Sequence, residues 1–141
     1  MTSCIFHDTV AERRDRCIFE LVDQAYRSQK RALIFSDNDE RASAIDRMLW
    51  ILKQEAFIPH KIVQAGDSNC ELPVAIVVSE INPIEAQILI ADGHCSLDFG
   101  GTFSMIHEFV TRTTPQIHEA CRERFRLYRT RQVTVEHVKD A

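Results

Sequence analysis

The sequence predicts a single α/β domain over residues 1–141, built on a mostly parallel sheet, and three observations carry that expectation. Short apolar runs alternate with amphipathic stretches of helical period, the arrangement that parallel strands joined by crossover helices require. A chain of 141 residues suffices for one core burying about 68–70% of the unfolded surface and leaves no surplus for a second domain. Apolar residues make up 45% and charged residues 27%, a balance that supports a packed core and is far from that of disordered chains.

Taken in order, CIFHD at 4–8 reads as a first strand. A long helix follows over 12–29, with Ile18, Leu21, Val22 and Ala25 recurring at helical spacing. RALIFS at 31–36 reads as the second strand, and Asp37 or Asp39 can cap the next helix, which runs to about residue 53 with Ala42, Ile45, Met48, Leu49 and Leu52 inward. After Pro59 come three candidate strands, KIVQ at 61–64, PVAIVVS at 73–79 and AQILIAD at 86–92, separated by turn residues Gly66, Asp67 and Asn82-Pro83. FSMIHEFV at 103–110 admits a strand or a short helix, and the alternation of Phe103, Met105, His107 and Phe109 favours the strand. Pro115 suits the first turn of a last helix capped by Thr113 or Thr114 and running to about residue 131. VTVEHV at 133–138 alternates weakly, as an edge strand or a tail.

Net charge is −4, but its distribution is uneven. Six arginines between Arg112 and Arg131 face only Glu119 and Glu123, a local +4 that leaves −8 on the remainder. One basic element on an acidic body suggests a single localised anionic partner more than a long nucleic-acid track. No stretch reaches the roughly 18 apolar residues of a membrane span, and the N-terminal MTSCIFHDTVAERRDR turns charged too early for a signal peptide, so a cytoplasmic location and no membrane partner are expected. The five cysteines (Cys4, Cys17, Cys70, Cys95, Cys121) are spread out without a CxxC pair and read as small buried apolar residues, giving neither a disulfide framework nor a zinc module.

Catalytic signatures are missing where an α/β chain would carry them. The turns after the first two strands, DTVAERR and SDNDERA, lack the glycines that let backbone approach phosphate, and neither GxGxxG nor GxxxxGK[ST] occurs. The six histidines are scattered, and His107-Glu108 does not continue into HExxH. Asp37, Asp39 and Glu40 sit where a helix start would use them as capping and dipole-complementing groups. Ser36 and Ser79 stand at carboxyl ends of predicted strands but in no GxSxG elbow. No cofactor, metal or catalytic residue is therefore assigned.

The last helix carries the strongest binding signal. On a helical wheel, Ile117, Ala120, Cys121, Leu127 and Tyr128 share one side, while His118, Arg122, Phe125, Arg126 and Arg129 occupy an adjoining arc. An aromatic ring bordering a cationic stripe is what an acidic peptide with an apolar end requires: a pocket for the ring, a guanidinium fork for a carboxylate, and cations for acidic side chains. Arg124 falls inside the apolar arc and reads as a structural ion-pair or snorkelling residue.

Three segments, DRMLWILKQEAFIPHKIV at 46–63, CRERFRLYR at 121–129 and the N-terminal strand, helix and Lys30-Arg31 leading into the second strand, are similar to the chi subunit family of bacterial DNA polymerase III. The resemblance implies a single three-layer α/β/α, Rossmann-like domain without catalytic activity. It also implies a replication adaptor that links the clamp loader, through a psi-like subunit, to the acidic, phenylalanine-terminated tail of single-stranded DNA-binding protein, with DNA contacted mainly indirectly. By position, Trp50, Phe57, Arg122, Phe125 and Arg126 match family residues implicated in holding that tail, and His118 and Arg129 join them on the helix. Phe125 stands where the family has tyrosine and His118 where it has lysine. Two other readings compete. A stand-alone nucleic-acid binder would use the arginines on phosphates, against the charge of the remainder, and an enzyme of nucleotide metabolism would fit the fold class without a visible phosphate cradle.

Overall fold

The computed structural model describes residues 2–52, 58–67, 71–110 and 114–139. Along the chain these form β1 (Ser3–Asp8), α1 (Ala11–Arg27), β2 (Ala32–Phe35), α2 (Asp39–Leu52), β3 (His60–Ile62), β4 (Val74–Val77), β5 (Ile88–Ala91), α3 (Leu97–Gly100), β6 (Met105–Val110), α4 (Pro115–Thr130) and β7 (Thr134–Lys139). The strands make one sheet in the order β3-β4-β2-β5-β6-β1-β7, and each pair of neighbours is parallel. β2 and β4 are buried at all four positions, as central parallel strands with both faces covered must be.

Chain direction decides which element covers which face. The steps β1 to β2 and β2 to β3 both travel toward the β3 edge, whereas β6 to β7 travels toward the opposite edge. Parallel crossovers are right-handed in about 98% of cases, so opposite directions put their helices on opposite faces. The packing agrees: Ile18, Val22 and Ala25 of α1 and Ala42, Ile45 and Leu49 of α2 share one core with Ile34, Ile76 and Ile90. Cys121 and Tyr128 of α4 share the other with Cys4, Phe6, Leu33 and Ile106. The result is three α/β/α layers.

Several local expectations change. The α2 cap is Asn38, whose Oδ1 accepts the Arg41 N–H at 2.8 Å, not Asp37 or Asp39; it stands three residues before the donor, where a cap must be. Leu52 is exposed at the end of α2, and Leu21 and Met48 are only partly buried. A short helix at 97–100, capped by the Ser96 hydroxyl accepting from Phe99 N–H, occupies a stretch to which the sequence assigns no element. Within the 103–110 segment Met105–Val110 is a strand, and 134–139 is an ordered edge strand beside β1, entered through a turn in which Gln132 takes φ 63°. On α4, Ile117, Ala120 and Leu127 are exposed; the inward stripe is Cys121, Arg124 and Tyr128, with Phe125 partly buried at its edge.

Candidate functional site

Helix α4 begins with Thr114, whose hydroxyl accepts the Ile117 N–H at 3.2 Å, followed by Pro115 in the first turn, where the missing donor costs nothing. It crosses over β1 on the way from β6 to β7 and is fastened there by one buried ion pair. Arg124 reaches Glu108 of β6 at two points, 3.2 Å from Nε and 2.6 Å from Nη2, and donates from Nη1 to the Cys95 carbonyl at 2.8 Å. Burial works against the Arg124 charge, yet the two-point hold of Glu108 pushes its pKa upward. Tyr128 is fully buried beside this pair, its hydroxyl lying where a β-carbon on Gly100 would collide with it.

With α4 held this way, Phe125 lies against Phe6 of β1, ring centroids 5.3 Å apart. Between the helix and the β6-β1-β7 edge opens a cavity of about 350 Å³. Its floor is apolar: Phe6, Val110, Cys121 and Phe125. His118, Arg122, Arg126 and His137 supply the polar lining. The Arg122 and Arg126 side chains are 68% and 61% exposed and pair with Glu119 at 3.8 and 3.3 Å, and Arg126 also pairs with Glu123. Exposed pairs of this kind contribute roughly 0–1 kcal/mol, so an incoming carboxylate can displace them cheaply. A space of this size takes one side chain, and the guanidinium groups at its rim can hold a carboxylate attached to it.

Of the residues singled out from sequence, His118, Arg122, Phe125 and Arg126 thus meet around one cavity, while Arg129 lies a turn further along the same helix and does not line it. Trp50 is the correction. It sits on α2, which packs on the opposite face of the sheet near the β3 edge, so it cannot wall a cavity bounded by α4 and β7. Its indole is 47% exposed and packs against the His60 ring, centroids 4.6 Å apart. Phe57 lies outside the described residues. Phe6, Val110, Cys121 and His137 were not selected from sequence. Inward spacing on the first strand marks Phe6, but nothing local marks His137.

At the carboxyl ends of the strands, where α/β proteins usually bind ligands, the buried Ser36 hydroxyl after β2 has no hydrogen-bond partner among the described residues, but the charged groups pair with one another. Asp92, just after β5, accepts Arg41 Nε at 3.0 Å from both oxygens and pairs with Arg14 Nε at 3.3 Å, while Arg41 also holds Asp15. Burial opposes the Arg41 charge, but Asp15 and Asp92 outweigh it and push the pKa up. Gly93 passes so close to Asp37 that a β-carbon would overlap its carboxylate.

Fold and cleft together define an α/β/α protein of Rossmann-like architecture with an apolar-floored, guanidinium-rimmed cleft beside its edge strand. The family model described as DNA polymerase III chi subunit, HolC, matches residues 1–136. The chain is 30% identical over 109 residues to DNA polymerase III subunit chi of Pseudomonas aeruginosa, covering 77% of this chain and 74% of that one. It is 28% identical over 116 residues to the subunit of the same name in Escherichia coli, covering 82% and 78%. The chain belongs to the DNA polymerase III chi subunit family, accessory subunits of the replication machinery. No helix among the described residues is long and apolar enough to cross a membrane.

Proposed function

We propose that this chain is a non-catalytic cytoplasmic adaptor whose α4 cleft receives the acidic, phenylalanine-terminated tail of single-stranded DNA-binding protein, while a psi-like clamp-loader subunit binds elsewhere. The observation that carries the reading is the juxtaposition of an apolar floor, set by Phe6 and Phe125, with the cationic rim of Arg122 and Arg126. The terminal ring enters the floor, its carboxylate meets a guanidinium, and the acidic residues before it lie along His118 and Arg129. Direct phosphate tracking is disfavoured because Glu119 and Glu123 stand among these arginines.

For the psi-like subunit we assign the end of α2, where Trp50, Ile51 and Leu52 are consecutively 47%, 58% and 41% exposed. Large apolar side chains exposed together at one helix end are a feature of interaction surfaces. An adaptor has to hold two partners at once, and this patch and the cleft lie on opposite faces of the sheet. Titration of the protein with a labelled acidic peptide ending in phenylalanine, with a single-stranded oligonucleotide and with nucleotides tests the reading. Peptide should bind tightest and nucleotides weakest; an oligonucleotide binding as tightly as the peptide would refute it.

A further inference from the structure

Arg122 and Arg126, the cationic rim of the cleft, are both engaged by a carboxylate of their own helix. Glu119, Arg122 and Arg126 follow the spacing i, i+3 and i+7 on α4, which sets them on one side of it. The Glu119 carboxylate bridges the two guanidinium groups, Oε2 lying 3.8 Å from Arg122 Nη1 and Oε1 3.3 Å from Arg126 Nη2, while Glu123 pairs closely with Arg126. Neither acid lines the cavity. One oxygen to each guanidinium is also how a ligand's terminal carboxylate would bind at this rim. Both Glu119 contacts are longer than the roughly 2.8 Å of a strong charge-assisted hydrogen bond, and its side chain is 59% exposed, so it can swing into water. The two guanidinium groups and the two carboxylates already balance in charge, so a third carboxylate gains full attraction only when one of the two withdraws. Glu119 is the one that withdraws, since Glu123 holds Arg126 at shorter range.

We propose that Glu119 is an internal stand-in for the ligand's terminal carboxylate: it occupies Arg122 and Arg126 in the free protein, and binding exchanges one carboxylate for the other. The inference rests on the reading of the cleft as the site for an acidic peptide. It makes Glu119 the residue that sets how much a free terminal carboxylate adds to affinity, because that gain is the difference between two carboxylates at the same pair of guanidinium groups. With Glu119 replaced by glutamine the incoming carboxylate meets no charged competitor there. A ligand whose terminal carboxyl is amidated has no carboxylate to exchange and leaves Glu119 in place.

The test is fluorescence anisotropy on the full chain with an acidic peptide ending in phenylalanine, as its free acid and as its C-terminal amide. The parent, Glu119→Gln and Glu123→Gln are compared, each checked by its melting curve, and the quantity read is the preference for free acid over amide. An exposed ion pair shifts an equilibrium by a factor of about one to five, so Glu119→Gln should raise that preference about threefold or more. Glu123→Gln makes the same change of charge one helical turn away and should leave the preference within about 1.5-fold of the parent. A preference unchanged or lowered in Glu119→Gln, or raised equally in both variants, would overturn the proposal while leaving the peptide site intact. A parent that fails to bind the peptide would overturn both.

Discussion

Arg124→Met should be among the most damaging single changes on α4, and its cost follows from the geometry. Glu108 is 1% exposed and its carboxylate is held at two points by the guanidinium. Removing the cation strands a buried charge, which typically costs about 3–5 kcal/mol. At about 2–4 °C per kcal/mol for a chain of this size, the melting temperature should fall by roughly 6–20 °C. Burial already pushes the Glu108 carboxyl above its usual range, with the Arg124 hydrogen bond and charge opposing that rise, so without Arg124 the folded state takes up a proton there. A carboxyl raised above its unfolded value of about 4.3 gives stability that is present in acid and lost as pH rises through the folded value, so the deficit should be larger at pH 8 than at pH 5. Arg124→Met/Glu108→Leu removes both charges and should recover most of the loss. Thermal melts and urea denaturation, both followed by circular dichroism, measure all three. A loss under about 1 kcal/mol for Arg124→Met, or a double variant no more stable than the single one, would refute the account of this pair as what fastens α4.

Arg122→Ala should weaken acidic-peptide binding by about 1.5–3 kcal/mol, the worth of a hydrogen bond to a charged group, against ~0–1 for Arg131→Ala, because Arg122 lines the cleft and Arg131 pairs with Asp98 elsewhere; calorimetric titration separates them. His107, hydrogen-bonded to His7 at 2.9 Å, has its pKa lowered to about 4 by burial and by that neighbour. A histidine depressed in the fold destabilises it as pH falls below the unfolded value near 6.5, so up to about 3 kcal/mol should disappear by pH 4, and the parent minus His107→Gln difference in urea midpoints should isolate this share. Trp50→Ala should leave peptide affinity within about twofold of the parent while abolishing binding of a psi-like subunit, and parent tryptophan fluorescence should not respond to the peptide, since the indole lies across the sheet from the cleft.

The cationic arc of α4 was legible in the sequence because a helix fixes about 100° between successive residues, and His118, Arg122, Phe125 and Arg126 inherit their shared side from that rotation alone. The same wheel placed Arg124 inward, and a buried inward arginine needs a counter-charge, though not a named one. It misjudged Ile117, Ala120 and Leu127, because apolar character marks a candidate face and the strands beneath decide how much of it is covered. The α2 cap was missed by one position for a similar reason: Asp37, Asn38 and Asp39 are all competent acceptors, and only the start of the hydrogen-bonded turn selects among them.

Order and type of most elements were set within windows of a few residues, by period 2 against period 3.6 and by Pro115 and Thr114 at a helix start. Those signals are local, so the sequence alone determined them. What joins distant windows was decided by the tertiary structure. His137 reaches Asp8 across 129 residues because β6, α4 and β7 form one crossover that straddles β1, and no spacing rule in a linear chain encodes that. Trp50 and Phe125 are both aromatics on helices, and nothing in their neighbourhoods separates them. They part because β2 to β3 and β6 to β7 run in opposite directions along the sheet, and a right-handed crossover turns that difference in direction into a difference of face.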